Sequence, residues 1–234
     1  MTSRRDFLRK AAMATAALSV GQFIPAVSGG RNRIIGASDL IRVGVIGVNS
    51  RGLALASSFA KMPLCEVTCL CDCDAKALER CQAQIVKQTG KAPRCFADIR
   101  KMLEYKDFDV AVIAMPDHWH AAAAIMALQA GKHVYLEKPT SYCPAENELL
   151  IKAASMSGKV ITAGNQRRSW PNVIAAIEAV KDGTIGEVRY AKSWYSINRP
   201  SIGRGKEVPV PEHLDWNLWQ GPAPRRPFHD NYVH

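Results

Sequence analysis

Short apolar segments of strand length alternate with segments of helical spacing along much of the chain. The first, residues 40–46, is a continuous apolar run with one arginine, typical of a strand buried on both faces. Repeated β-α units of this length need parallel strands joined by right-handed crossovers. The sequence therefore predicts an α/β fold with a doubly wound parallel sheet. The predicted strands are 40–46, 65–71, 94–96, 108–114, 133–136 and 159–163, and the intervening helices are 51–61, 74–90, a brief helix opened by Asp98, 120–130 and 144–157.

The pattern changes after Gly164. Residues 170–181 predict a further helix and residues 187–197 a long alternating strand, and a Pro-, Gly- and Trp-rich stretch without a regular period follows. A compact domain rarely ends in so long a stretch without regular structure, so we expect the chain to stop inside a second domain. The expected division is a leader over 1–30, a first domain over 38–164 and the start of an α/β domain over 165–234.

Basic residues outnumber acidic ones, and their positions decide what the excess means. The 31 Lys and Arg against 21 Asp and Glu give a net charge of +10, but Arg4, Arg5, Arg9 and Lys10 lie within the first ten positions. The remaining excess is spread in ones and twos, without the basic stripe that binding to a nucleic-acid backbone needs. We expect no nucleic-acid partner. No run of apolar residues is long enough for a membrane span either.

The first thirty residues have the features of a targeting segment. A Ser-Arg-Arg-x-Phe-Leu pattern begins at Ser3, a mildly apolar stretch covers 11–24, and small residues at 25–28 offer a cleavage site. This pattern resembles a twin-arginine export signal, which is recognised by a receptor. The resemblance implies the twin-arginine machinery as a partner, export of a folded protein and a periplasmic location. The alternative is a basic amphipathic tail.

The seven cysteines are an odd number for a set of paired disulfides. Cys69, Cys71 and Cys73 alternate, so on a strand they point to one face. Their spacing is not the Cys-x-x-Cys of a zinc site, and histidines at a suitable separation are missing, so no metal site is predicted. We interpret the cysteines as small buried apolar residues.

A glycine-bearing turn, Gly47-Val48-Asn49-Ser50-Arg51-Gly52, follows the first strand and opens a helix. Glycines at such a turn let backbone N–H groups approach a pyrophosphate at the helix N-terminus, although Asn49 stands where the second glycine is usual. Asp72 ends the second strand, where an acidic residue accepts hydrogen bonds from ribose hydroxyls and repels a 2′-phosphate. We therefore predict NAD as the cofactor, bound by Gly47, Asn49, Ser50, Arg51, Gly52 and Asp72. The alternative is a strand-end aspartate beside a structural turn.

Two further clusters follow the fourth and fifth strands, at the edge of the sheet where ligands bind. In the first we predict Met115, Pro116, His118, Trp119 and His120 as cofactor-binding residues. For His120 we favour a role as an anchor at the helix start. A metal site at the two histidines is the less favoured alternative, since no Glu-x-x-His motif is nearby.

The second of these clusters is Glu137-Lys138-Pro139. A lysine here can deprotonate a substrate hydroxyl if burial and a cationic nicotinamide lower its pKa. The alternative is a solvated pair between Lys138 and Glu137.

The three clusters, in this order and with the Ala-Gly-Lys-His-Val…Glu-Lys-Pro block over 130–139, resemble the Gfo/Idh/MocA oxidoreductases. The resemblance implies that Lys138 lies between nicotinamide and substrate as the catalytic residue, with Glu137 at the cofactor. It also implies that the turn after Gly164 lines the nicotinamide and sugar sites, with Gln166 on the cofactor and Arg167 and Arg168 on the substrate. Residues 186–189 are similar to the entry into a substrate domain with a mostly antiparallel sheet, and 215–222 to an insertion of the exported branch.

The function implied is an exported NAD-dependent oxidoreductase acting on a sugar, cyclitol or sugar derivative. We expect the complete protein to be a homo-oligomer. The family's further catalytic His or Asp, in a helix with a Gly-x-His motif, has no match here. Two alternatives stay open: redox-neutral glycoside cleavage with retained NAD, and non-catalytic sugar binding.

Overall fold

The computed structural model describes residues 40–233, so the predicted leader over 1–30 lies outside the described residues. The described chain forms two compact units. Residues 40–164 with 210–225 form the first, and residues 165–209 with 226–233 form the second.

The first unit is built on one sheet of six strands, all paired in parallel in the order β3-β2-β1-β4-β5-β6. The strand order reverses between β1 and β4, which makes their carboxyl ends the topological switch point where ligands bind in such folds. The predicted doubly wound sheet is confirmed. The strands are β1 Ile41–Ile46, β2 Cys65–Cys71, β3 Arg94–Phe96, β4 Val110–Ile113, β5 His133–Glu137 and β6 Ile161–Gly164; the helices between them are α1 Arg51–Ala60, α2 Ala75–Thr89, α3 Ile99–Glu104, α4 Asp117–Gln129 and α5 Pro144–Ser157.

Apolar side chains cover both faces of the sheet, as the continuous apolar strands predict. Alternate residues of β1 enter different clusters: Val43 and Val45 pack on one side and Ile46 on the other, all fully buried. The helix ends follow from local chemistry. The Asp74 carboxylate accepts hydrogen bonds from two amides of the first turn of α2, and Gly90 ends that helix in the left-handed conformation.

Three of the cysteines, two in β2 and one in α2, behave as buried apolar residues. Cys69 and Cys71 pack into the cluster on one face, and Cys81 packs into the cluster on the other. Burial raises the pKa of both Cys69 and Cys81 to about 12, so these thiols are protonated and unreactive at neutral pH. All seven cysteines are free thiols, but the interpretation as buried apolar residues holds only for these three. The other four, Cys65, Cys73, Cys95 and Cys143, are partly buried.

Two predictions of secondary structure were wrong. Helix α4 begins at Asp117, earlier than predicted, because Pro116 occupies its N-cap and an acidic residue suits the first turn. Residues 187–197 lie outside any helix or strand. A strand needs a hydrogen-bonded neighbour, and no segment within residues 40–233 pairs with this one. The antiparallel sheet expected after residue 164 is therefore not seen in the described chain.

The second unit contains a 3₁₀ turn over Gln166–Ser169 and helix α6 over Pro171–Lys181, which confirms the helix predicted there. A short helix, α7, covers Trp216–Gln220 and belongs to the first unit. Among residues 40–233, no helix has both the length and the apolar character needed to cross a membrane.

Candidate active site

The turn that follows β1 is too tight for any residue but glycine at two positions. Gly47 has a φ of +79°, and a Cβ there would lie 2.7 Å from the carbonyl oxygen of Ala114. A Cβ on Gly52 would lie 1.7 Å from the carbonyl oxygen of Gly47. The turn is therefore pressed against the end of β4 on one side and against α1 on the other. This geometry brings backbone, without intervening side chains, to the switch point.

The N-terminus of α1 has the open amides that a phosphate group needs. Ser50 is the N-cap residue, makes no side-chain capping hydrogen bond, and is followed by no acidic residue in the first turn. Asn49, at the position where a second glycine is usual, accepts a hydrogen bond on its side-chain oxygen from Arg80 Nη2 at 2.7 Å. Asn49 thus ties the turn to α2.

Asp72 holds the same turn from the end of β2. Its Oδ2 accepts a hydrogen bond from the Val48 amide at 2.7 Å, and its Oδ1 accepts one from the Asp74 amide at 3.0 Å. Burial raises the pKa of Asp72, against the opposite effect of these two amide bonds. Each carboxylate oxygen has a further lone pair, so the group can also accept ribose hydroxyls. The turn, the open helix end and the acidic residue together fit a dinucleotide.

A segment far along the chain returns to this edge of the sheet. We call residues 213–221 the strap. At one end it binds the loop after β2: the Ala75 amide donates to the His213 carbonyl at 2.8 Å, and the Asp215 amide donates to the Cys73 carbonyl at 2.9 Å. Asp215 also accepts a hydrogen bond from the Leu218 amide and so caps α7. The strap is thereby fixed beside Asp72.

The other end of the strap binds the first turn of α4. Trp119 Nε1 donates to the Leu218 carbonyl at 3.0 Å, and His118 Nε2 lies 3.0 Å from the Trp219 carbonyl, to which it donates. Gly221 packs so closely on Trp119 that a Cβ would lie 2.1 Å from the indole ring. Because β1 lies between β2 and β4 in the sheet, the strap spans the carboxyl end of β1.

This finding changes the interpretation of the cluster after β4. The polar atoms of His118 and Trp119 are engaged by the strap, so their side chains act first as its anchor; as cofactor contacts they stay predictions. Pro116 is the N-cap of α4, and Met115 is half-buried against the apolar cluster. The Trp-rich stretch that contains Trp219 is visible in the sequence, but no local pattern indicates its partners.

The end of β5 carries an ion pair between a buried carboxylate and a partly exposed arginine. The Glu137 side chain is 5% exposed, and its Oε1 lies 2.8 Å from both Nε and Nη2 of Arg51. The Tyr135 hydroxyl donates to the same oxygen at 3.4 Å, and burial followed by the charge of Glu137 raises the pKa of that phenol, so it keeps its proton. The Lys138 amide donates to Oε2 at 3.3 Å. Arg51 and Glu137, predicted as separate cofactor contacts, are partners of each other.

Lys138 itself is exposed, so the burial expected for it is not found. The carboxylate of Glu137 pairs with Arg51, and the solvated Lys138–Glu137 pair weighed as an alternative is therefore not formed. The Lys138–Pro139 peptide bond is cis. His120 is 1% exposed, and its Nδ1 hydrogen-bonds the Pro139 carbonyl. This agrees with the anchoring role predicted for His120 and leaves it little surface for a cofactor.

Gln166, Arg167 and Arg168 form the 3₁₀ turn directly after β6 and belong to the second unit. The two arginines are exposed, and the Arg167 guanidinium carbon lies 5.5 Å from the centre of the Trp170 ring. Their assignment to the cofactor and the substrate stays a prediction. No group of three or more potential metal ligands lies close together within residues 40–233.

A match to a known protein family identifies the cofactor that this site binds. Residues 41–165 match the family model described as an oxidoreductase family with an NAD-binding Rossmann fold. The chain belongs to the Gfo/Idh/MocA family. The matched segment contains the turn after β1, Asp72 and Lys138, and the first unit is accordingly an NAD-binding domain whose residues fit that cofactor.

Individual relatives of this Gfo/Idh/MocA chain have two kinds of name. A solved scyllo-inositol dehydrogenase from Lactobacillus casei, with bound NAD(H) and scyllo-inositol, is 23% identical with a TM-score of 0.58, over 63% of this chain and 43% of that one; this likeness shows the fold. A glycosyl hydrolase family 109 protein from Shewanella baltica and an alpha-N-acetylgalactosaminidase from Shewanella oneidensis are each 27% identical over 209 residues, or 82% of this chain. The chain spans about half (45%) of the length of these two relatives.

Proposed function

We propose that the protein oxidises a carbinol carbon of a sugar, cyclitol or sugar derivative, with NAD as hydride acceptor and Lys138 as the base. The observation that carries the proposal is the position of Lys138. It is exposed at the carboxyl end of β5, beside the switch point, with its amide bonded to a buried carboxylate. NAD, when bound, would accept the hydride from the carbinol carbon, and the Lys138 side chain would accept the hydroxyl proton.

The test is the formation of NADH by the full-length protein and its Lys138→Met variant, with scyllo-inositol among the probes. Methionine keeps the length and apolar stem of the side chain, so NAD binding should be roughly preserved. Loss of a positioned base should lower kcat on the order of 10²–10⁴-fold. Lys91→Met is the control, because Lys91 forms an exposed ion pair with Glu66 and should leave turnover intact. A loss of less than about fivefold, within what a surface ion pair could cause, would remove Lys138 from the mechanism.

A second candidate, redox-neutral glycoside cleavage, has its own support. The glycosyl hydrolase family 109 protein from Shewanella baltica matches 82% of this chain. The strap also spans the edge where we expect the cofactor to bind, which favours retention of NAD. The first step would be the same oxidation. The ketone then acidifies a neighbouring ring proton, the glycosidic bond is eliminated, and the hydride returns to the sugar after water adds.

Cofactor turnover separates the candidates. A nitrophenyl N-acetyl-α-galactosaminide would release nitrophenol without net NADH in the redox-neutral case, whereas net NADH appears only with the dehydrogenase. A non-catalytic sugar-binding protein would bind the sugar and give neither product.

We also propose that the protein is exported through the twin-arginine pathway to the periplasm. The support is the Ser-Arg-Arg-x-Phe-Leu pattern beginning at Ser3. Replacing both Arg4 and Arg5 by lysine keeps the charge but removes the guanidinium pair, and should leave the precursor in the cytoplasm. Periplasmic accumulation of that variant at the wild-type level contradicts the proposal.

A further inference from the structure

The Glu137 carboxylate joins two groups that are separate in sequence. One oxygen receives Nε and Nη2 of Arg51, both at 2.8 Å, and the other receives the Lys138 amide at 3.3 Å. A carboxylate buried to this extent needs its cation, because an unpaired charge is unfavourable in a low-dielectric environment. The position of Glu137 therefore depends on Arg51, and the hydrogen bond to the Lys138 backbone depends on the position of Glu137.

The space around the carboxylate is also closed by the neighbouring strand. A Cβ on Gly164, at the end of β6, would lie 2.8 Å from Glu137 Oε1 and 2.8 Å from the Tyr135 hydroxyl. The carboxylate thus rests directly against the backbone of Gly164. A methyl group at this position would have to displace the carboxylate without removing any charge.

A second buried group holds the other side of the same short segment. The Pro139 carbonyl accepts a hydrogen bond from Nδ1 of His120, a side chain that is 1% exposed. The segment that carries Lys138 is consequently fixed on both sides, by Glu137 before the side chain and by His120 after it. The exposed Lys138 side chain therefore extends from a backbone that is fixed by these two contacts.

We propose that Arg51 is a positioning residue that acts on Lys138 through Glu137, by fixing the backbone from which the lysine side chain extends. The inference rests on the proposed role of Lys138. It differs from the prediction that Arg51 contacts the cofactor, because it places the effect of Arg51 on the base rather than on NAD affinity. Misplacing a catalytic group by about 1 Å can cost on the order of 100-fold in rate.

Two variants disturb the carboxylate in different ways. Arg51→Met removes its cation, and Gly164→Ala displaces it sterically while leaving Arg51 in place. Arg42→Met is the matched control. The Arg42 side chain is 39% exposed against 42% for Arg51, and Arg42 pairs with Asp107 and Asp109 at the opposite end of β1.

The first readout needs no substrate: hydrogen exchange of the Lys138 amide, measured by NMR on the folded chain. Loss of one hydrogen bond should speed this exchange roughly fivefold in both variants and leave it unchanged in Arg42→Met. The second readout is kinetic, in the full-length enzyme with the probe that the wild type turns over. We expect kcat to fall on the order of 10- to 100-fold, with the KM of the probe and the Kd of NAD near wild type. Arg51→Lys, which keeps a cation, should recover part of the loss.

Each other result overturns the inference. Unchanged exchange of the Lys138 amide in both variants would show that Glu137 does not hold this backbone, and faster exchange with an unchanged kcat would show that the hold is irrelevant to catalysis. A raised Kd of NAD in Arg51→Met with kcat unchanged would make Arg51 a cofactor contact. If Arg51→Met does not fold, Gly164→Ala decides. A Lys138→Met variant that keeps its kcat refutes the proposed function instead, and that result is distinct from all of these.

Discussion

Replacing Asp72 by alanine tests whether one carboxylate both shapes the turn after β1 and binds the cofactor. The carboxylate accepts the Val48 and Asp74 amides. Val48 is fully buried, so water cannot replace the lost acceptor for its amide, and an unsatisfied buried donor costs about 1–3 kcal/mol. The Asp74 amide is only partly buried and can form a hydrogen bond with water instead. Burial of the Asp72 carboxylate is unfavourable for its charged form and raises its pKa. Alanine removes this unfavourable burial, which offsets part of the lost stability. We therefore expect the free energy of unfolding of the cofactor-free protein to fall by about 2 kcal/mol.

NAD affinity should fall separately, because the ribose loses its acceptor. The expected loss is about 1–3 kcal/mol, or roughly 5- to 150-fold in Kd. Urea unfolding without NAD measures the first effect, and calorimetric titration of the folded variant measures the second. Asp98→Ala is the control: Asp98 caps α3 away from the switch point, so the variant should lose about 1 kcal/mol of stability and bind NAD normally. Unchanged NAD affinity in Asp72→Ala would refute the cofactor role and leave Asp72 as a residue of the turn alone.

Two further substitutions test features away from Asp72. Lys132 is 7% exposed, donates to the Phe108 carbonyl at 2.8 Å, and has its pKa lowered by burial. The unfolded chain therefore binds more protons than the folded one just below the ordinary lysine pKa, so wild-type stability should rise with pH in that window and fall as pH drops through the lowered pKa. Urea unfolding at several pH values in that range should show that the free energy of unfolding rises less steeply with pH in Lys132→Met than in the wild type. An equal dependence on pH in the two proteins would contradict this expectation. Gly52→Ala should abolish NAD binding measurable by calorimetry, because the added Cβ would clash with the Gly47 carbonyl. Gly90→Ala is the control, because no atom lies within 4 Å of the added Cβ. It should bind NAD normally, although the left-handed backbone at this position costs alanine about 1–2 kcal/mol. Normal NAD binding by Gly52→Ala would mean that the turn can rearrange.

The features that were predicted correctly are those with local causes. Asp74 and Asp98 cap the helices that follow them, and Gly90 ends α2, because each acts within a few residues of its own position. The parallel sheet follows from apolar runs that alternate with helical segments. The position of Asp72 beside the turn after β1 follows from the order of strands in a doubly wound sheet.

The features that were missed depend on partners distant in sequence. Arg51 and Glu137 are 86 residues apart, and each was assigned to the cofactor because nothing local indicated that they pair. His118 and Trp219 are 101 residues apart. The pattern around His118 indicated that its side chain contacts a ligand, whereas it contacts another segment of the chain. The alternation in residues 187–197 correctly describes a sequence able to form a strand, but alternation does not supply the neighbour that a strand requires.

The position of the strap late in the chain implies an order in which the parts of the cofactor site form. All six strands lie before residue 165, and a ribosome delivers them before it delivers the strap. The hydrogen bond from Trp119 to Leu218 closes a loop of 99 residues, whose entropic cost makes it slower to form than the contacts between successive strands and helices. A growing chain consequently completes the turn after β1, with Asp72 beside it, while this edge of the sheet is still open. The edge of the sheet at which we expect NAD to bind is therefore formed before the strap docks across it.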